Sequence, residues 1–180
     1  MKLISVNVSR PKEIAARGRT VTTGIFKEAV AGRVRLGRLN LEGDGQADLR
    51  VHGGPNKAVY AYPSEHYDYW KRELGRSNLV FGQFGENLTV EGMLESEVHL
   101  GDVFKVGSAV VQVSQPRSPC YKLGIRMGSS GFPKLFLASG RPGFYLRVLE
   151  EGEVGAGDPI ELAHADPDRL SVLEASRLSF

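Results

Sequence analysis

The chain has a single cysteine, Cys120, among its 180 residues. One thiol excludes an intrachain disulfide, a structural zinc site of several thiolates and an iron–sulfur cluster held by this chain alone. The natural setting for such a chain is a reducing cytoplasm. Long apolar runs are also missing: Leu135, Phe136, Leu137 and Ala138 are cut off by Ser139 and Gly140, far short of the roughly 18 residues a membrane helix needs. No membrane association is expected. The amino terminus from Met1 to Val8 alternates apolar and polar residues; without the continuous apolar core of an export signal, Asn87-Leu88-Thr89 carries no weight as a glycosylation pattern. Charge of one sign is scarce too. With 23 basic and 21 acidic side chains the formal charge is +2, so no strong field is available to hold nucleic acid, and any anion must be gripped locally. There is no GxGxxG after the first strand, no Walker loop and no HExxH helix, which removes the common nucleotide-binding and zincin readings.

What is present reads as one compact domain. At 41% hydrophobic and 24% charged residues the composition lies near globular averages, and the length suffices to bury a core. The 22 glycines and 9 prolines fall between short apolar runs instead of gathering in a linker, a spacing that punctuates strands. Strands are expected at Leu3 to Val8, Arg19 to Ile25, Val34 to Leu41, Ala58 to Tyr62, Asn87 to Val90, Val103 to Val106, Ala109 to Ser114, Gly143 to Leu149 and Ile160 to Leu162. So many short strands favour an antiparallel barrel or sandwich, mainly β with short helices. One helix stands out: Ser64 can cap it, Tyr67, Trp70 and Leu74 recur at helical spacing, and Gly75 can end it. Phe132 to Ala138 fits a helix or a strand. The tail from Asp168 to Phe180 sets Leu170, Leu173 and Leu178 on an amphipathic helix whose apolar face would need a partner surface. The expected division is a barrel domain over 1–162 and a tail over 163–180.

Three clusters could carry chemistry. The first is Gln115-Pro116-Arg117-Ser118-Pro119-Cys120-Tyr121-Lys122, directly after the apolar run Val110 to Val113. Pro116 and Pro119 stiffen this segment into a rigid loop, and a neighbouring guanidinium or ammonium favours the thiolate, the form that binds metals or attacks electrophiles. The alternative is a small buried hydrophobe. The second cluster runs from Gly43 to Lys57. Gly53 and Gly54 let backbone approach a ligand, and Arg50, His52 and Lys57 can supply charge to a phosphate or a pterin. Asp44 and Asp48 serve as turn acceptors or as partners orienting Arg50, and the whole cluster could instead be a polar, solvated turn. The third is Gly82-Gln83-Phe84-Gly85-Glu86-Asn87-Leu88, in which Asn87 can read the edges of a heterocycle. Glu86 could move a proton, although such a glutamate more often orients backbone. Arg141 and Arg147 are further candidate anion contacts, and Tyr60, Tyr62, Tyr67, Tyr69 and Trp70 read as core packing.

Gly43-Asp44 through Gln46-Ala47-Asp48, His52-Gly53-Gly54 with Lys57-Ala58-Val59-Tyr60, Gly85-Glu86-Asn87-Leu88, and Gln115-Pro116-Arg117 with Pro119-Cys120 together resemble the MOSC family. That domain is named after the carboxy-terminal part of molybdenum cofactor sulfurases. The likeness spans most of residues 1–162, including Gly143-Phe144-Tyr145-Leu146-Arg147-Val148-Leu149 and Gly157-Asp158. It is nearest to the small bacterial branch associated with resistance to N-hydroxylated purine bases. The resemblance implies a MOSC-type antiparallel β-barrel binding the molybdenum cofactor, molybdenum-molybdopterin, with Cys120 as the thiolate on molybdenum and as the catalytic position. It implies reduction of a small N-hydroxylated substrate, with electrons from an external redox protein, since the chain has neither the cysteines for an iron–sulfur cluster nor a dinucleotide fingerprint. Arg50, His52, Gly53, Gly54, Lys57, Asn87 and Arg117 are the expected cofactor-pocket residues. Longer relatives in that branch carry a small helical region after the barrel, whereas this chain stops at Phe180.

Two other classes of function remain open at this point. One is a noncatalytic carrier or sulfur-transfer protein using the same cysteine and cationic pocket. The other is a metal-free thiol hydrolase in which His52 meets Cys120. A homodimer is the default by base rate.

Overall fold

The computed structural model of the chain describes all residues except 17, 46, 48–52 and 180. Among the described residues there are twelve strands: β1 (Lys2–Val8), β2 (Lys12–Ala16), β3 (Arg19–Thr23), β4 (Glu28–Ala29), β5 (Arg33–Leu36), β6 (Val59–Pro63), β7 (Leu88–Glu91), β8 (Val103–Val106), β9 (Ala109–Pro116), β10 (Phe144–Glu150), β11 (Gly152–Gly155) and β12 (Ile160–His164). The same residues include four short α-helices: α1 (Glu65–Leu74), α2 (Tyr121–Met127), α3 (Phe132–Ala138) and α4 (Val172–Ser179). The mainly-β expectation therefore holds, and each of the nine expected strands overlaps an observed one.

Eight strands form one sheet in the order β12-β8-β9-β10-β6-β7-β1-β4. Its ladders are antiparallel except for β6 and β7, which pair in parallel with Ala61 opposite Leu88, because α1 and the loop to residue 87 carry the chain back to the sheet's other end. The strand ladder is not closed. Single backbone bonds bring its two ends together instead: Leu3 N donates to Asp158 O at 2.9 Å, Gly157 N to Leu3 O at 2.7 Å and Ile160 N to Met1 O at 3.0 Å. Inside the curled sheet lies an aliphatic core that includes Leu3, Val6, Leu88, Val111, Phe144 and Leu146. Alternation drives this packing. From Ala109 to Val113 in β9 and from Phe144 to Val148 in β10 every second residue is buried, the period-2 pattern expected of a sheet with one face in a core.

A second core is aromatic and lies between α1, α3 and the loop before β7. Trp70 stacks on Phe136 with centroids 5.6 Å apart, and Tyr62 packs on Phe84 at 4.8 Å. Tyr60, Tyr62, Tyr67 and Trp70 are thus buried as expected for a core, with Tyr69 half-buried against them. Ser64 and Gly75 bound α1, with Gly75 in the left-handed conformation at φ 60°, but the Ser64 hydroxyl makes no capping bond to the helix backbone. Phe132 to Ala138 is helix. It buries Phe132 and Phe136 and starts with Pro133 in its first turn, where the missing N–H costs nothing. Helix α2 was not foreseen in the stiff loop around Cys120. In the tail, α4 docks through Val172 and Ala175, which are buried, while Leu178 remains 80% exposed. Among the described residues no helix is long and apolar enough to cross a membrane.

Candidate functional site

One cavity collects residues from five distant stretches of chain. Its wall includes Lys27, Asp44, Gly53, Lys57, Tyr60, Asn87, Arg117, Cys120, Lys122 and Tyr145, and its free volume is about 100 Å³, with the mouth open to solvent. Five of the expected site residues, Gly53, Lys57, Asn87, Arg117 and Cys120, line this one cavity. Gly54 is not in that wall. It caps the short 3-10 turn Pro55–Lys57 with φ 81°, a conformation that favours glycine. Arg50 and His52 lie outside the described residues.

Cys120 arrives by way of β9. The strand ends at Pro116, whose partner across the ladder is Phe144 of β10; Arg117 N then donates to Gly143 O at 3.2 Å, and Cys120 immediately precedes α2 with its carbonyl accepting Leu123 N at 3.0 Å. Cys120 is half-buried. Arg117 beside it is buried, and its guanidinium sits 4.5 Å from the Tyr60 ring centroid and 5.4 Å from that of Phe136. Its Nη1 donates to the Tyr60 hydroxyl at 3.2 Å. Burial works against this cation, but Tyr60, Tyr145 and the Cys120 sulfur outweigh it and hold Arg117 above its ordinary pKa. A guanidinium next to a cysteine is the kind of neighbour that favours the thiolate form. Burial pushes the Tyr60 and Tyr145 hydroxyls up, keeping both neutral donors. Lys57 Nζ stands 5.8 Å from the Tyr145 ring centroid. Arg117, Lys57 and Lys122 thus line the same cavity as Cys120.

The opposite side holds a buried ion pair that sequence reasoning missed. Lys27, 6% exposed, is bonded to Asp44. Burial lowers the Lys27 pKa, with the Asp44 carboxylate pulling the other way. Asp44 is not a simple turn acceptor: it also accepts Ser9 N at 2.9 Å and Asn87 Nδ2 at 2.9 Å. Asn87 is committed to the protein as well. Its Oδ1 accepts Tyr60 N at 3.1 Å and its Nδ2 reaches Asn7 O at 3.3 Å, so it ties three elements together and forms wall more than it reads a ligand. No signal in the Gly24-Ile25-Phe26-Lys27 stretch marked the lysine, because its partner lies 17 residues away.

Glu86 lies behind that wall, fully buried. It accepts backbone N–H groups from Gly82 at 2.8 Å and Phe84 at 3.1 Å, Thr89 Oγ1 at 3.1 Å, and the Tyr67 hydroxyl. Burial raises its pKa against those donors. Its position fits the backbone-orienting alternative: it shapes the loop that delivers Gly85 and Asn87 to the cavity. Arg141 and Arg147 are not among the residues lining that wall; Arg141 covers the Tyr69 ring at 3.8 Å.

The MOSC domain model matches residues 48–161. The chain belongs to the MOSC domain family. Among MOSC relatives it is 46% identical over 178 residues to the uncharacterized protein YflK of Bacillus subtilis, covering 99% of this chain and 80% of that one. The crystal structure of YiiM from Geobacillus stearothermophilus superposes with a TM-score of 0.82 at 39% identity, over 99% of this chain and 83% of the other. A protein of Gibberella moniliformis named simply as a reductase is 34% identical over 179 residues, which is 98% of this chain but 32% of that longer protein. Membership in the family fits the mainly-β fold and the cavity at the end of β9.

The donor set can be tested against the molybdenum cofactor associated with MOSC domains. Among the described residues no group of three or more histidine, cysteine, aspartate or glutamate side chains is placed to hold a metal ion. A thiol in one cavity with a guanidinium and two lysines fits that cofactor: soft sulfur for the metal, cations for an anionic tail.

Proposed function

We propose that the chain binds the molybdenum cofactor in this cavity and reduces small N-hydroxylated compounds, such as N-hydroxylated bases, with electrons from a separate redox protein. The observation that carries the reading is the Cys120 sulfur beside Arg117, in one cavity with Lys57 and Lys122. Cys120 would ligate the metal, and Arg117, Lys57 and Lys122 would hold the anionic part of the cofactor. The two-electron removal of oxygen from an N–OH group is the chemistry that the bound cofactor supplies. Overall, N–OH with two protons and two electrons gives N–H and water, and the electrons enter from outside the chain.

The protein's own residues contribute orientation and charge. Arg117 cannot lose its proton, so the field at Cys120 stays positive through the turnover. Tyr60 and Tyr145, kept neutral by burial, can donate hydrogen bonds without adding negative charge next to the sulfur. The Lys27–Asp44 pair and Asn87 fix the far wall. Reduction of an N-hydroxylated base by protein purified from cofactor-producing cells, driven by an artificial electron donor, tests the reading. Turnover lost in Cys120→Ala supports it. Hydrolysis of an ester or amide that survives molybdenum depletion and is lost on alkylation of Cys120, with no reduction of the N-hydroxylated base, supports the thiol hydrolase instead, and cofactor binding without turnover supports a carrier.

A further inference from the structure

A second opening shares no lining residue with the first. It lies between the β2–β3 hairpin and α2, is lined by Arg19, Thr20, Val21, Thr22, Tyr121 and Ile125 among others, and contains about 1340 Å³ of empty space open to solvent. The chain passes from one opening to the other on both walls. On the hairpin side, Thr22 lines the outer cleft and Thr23 the inner cavity; on the helix side, Tyr121 lines the outer cleft and Cys120 the inner cavity. The outer cleft thus has Tyr121, the neighbour in sequence of the proposed metal ligand, in its wall.

Its surface is chosen for a flat apolar ring. Tyr121 and Ile125 stand four residues apart on α2 and so share one helix face, with Val21 on the facing strand. Tyr121 is 62% exposed among the described residues, an aromatic side chain offered to solvent. Arg19, Thr20 and Thr22 supply donors and hydroxyls around the rim, suited to ring nitrogens and carbonyl oxygens. From this geometry we infer that the cleft between the β2–β3 hairpin and α2 is the substrate subsite, and that Tyr121 is the stacking platform for a planar heteroaromatic ring whose N–OH group points inward past Cys120. The inference rests on the reductase reading for the inward direction of the N–OH group, but the cleft's ring affinity stands independently of turnover.

The test uses N-hydroxylated adenine as the aromatic probe and an aliphatic amidoxime as the ring-free one, with wild type, Tyr121→Phe and Tyr121→Ala. Calorimetric titration of cofactor-free protein should give saturable binding of the aromatic probe, unchanged in Tyr121→Phe and weakened roughly 5- to 100-fold in Tyr121→Ala, the range expected for loss of one base-stacking contact. The aliphatic probe should be insensitive to position 121. In loaded enzyme, Tyr121→Ala should raise KM for the aromatic probe with kcat retained. Wild type without saturable binding, or equal affinity in wild type and Tyr121→Ala, overturns the subsite. Val21→Trp, which fills the cleft from the other wall, provides a second reading and should also weaken aromatic binding. Ring binding that depends on Tyr121 without any turnover would sink the reductase reading and leave the cleft standing; turnover with an unchanged KM in Tyr121→Ala would do the reverse.

Discussion

The guanidinium of Arg117 lies over the Tyr60 ring at 4.5 Å while donating to the hydroxyl of the same residue at 3.2 Å. This double contact holds a buried cation at the end of β9, where Cys120 enters the cavity. Position and charge at the sulfur therefore depend on an aromatic ring in β6.

Replacing Arg117 by Met should remove the cation while roughly preserving volume. The Tyr60 hydroxyl would keep its bond to Pro142 O at 2.8 Å, so unfolding should lose only about 1–3 kcal/mol, the scale of a desolvated cation–π contact plus a charge-assisted hydrogen bond. Bound cofactor should fall much further, and the two are separated by comparing denaturant midpoints with metal content. Full cofactor retention in Arg117→Met would contradict the role assigned to the guanidinium.

The Lys27–Asp44 pair should behave as a buried salt bridge whose halves depend on each other. Lys27→Met alone leaves a buried carboxylate short of a partner and should cost about 3–5 kcal/mol, whereas Lys27→Met combined with Asp44→Asn should recover a large part of that loss. A double-mutant cycle by urea denaturation measures the coupling. Because burial lowers the lysine's pKa in the folded state, the unfolded chain binds more protons between the lowered value and the ordinary one. Lys27 therefore makes stability rise with pH across that window, and Lys27→Met should flatten the rise.

Glu86 predicts a slope of opposite sign. Its folded pKa is raised by burial above the ordinary 4.5, so the folded state binds more protons just above that value. Its contribution to stability is present at low pH and falls as pH rises through the window up to the raised folded value. Subtracting the profile of Glu86→Gln from that of wild type should reveal a decline with pH, and a difference that instead climbs would contradict the raised pKa.

Gly85→Ala should be destabilising for two reasons. The residue has φ +84°, and an added Cβ would stand 2.7 Å from Ile25 Cγ1, well inside contact distance. A cost of about 1–3 kcal/mol is expected. Gly75→Ala, with φ +60° but nothing within 4 Å, should cost less, and thermal melts of the two variants compare strain with clash against strain alone.

Much of the fold was legible because strands announce themselves through alternation: β8 begins and ends where Val103 to Val106 suggested, and Ser64, Tyr67, Trp70 and Gly75 marked α1. Other elements were silent for physical reasons. Strand β2 is half exposed on both faces and pairs only with β3, so it carries no apolar period, and β4 is two exposed residues. Helix α2 was hidden because Pro116 and Pro119 dominate the local reading, although both precede its first turn. Within the site, Cys120, Arg117 and Lys57 were legible as unusual residues in stiff or glycine-rich segments. Lys27 was not, since its significance comes from Asp44 and from burial. Asn87 was legible as a wall residue, but not its structural bonds, because its partners Asn7, Asp44 and Tyr60 come from three separate parts of the chain.

The most direct measurement is molybdenum content in wild type and Cys120→Ala, both purified from cells that make the cofactor and matched for folded protein by their melting curves. Wild type should carry bound molybdenum and Cys120→Ala little or none. Equal metal content in the two proteins, or its absence from both, would contradict the assignment of Cys120 as the metal ligand.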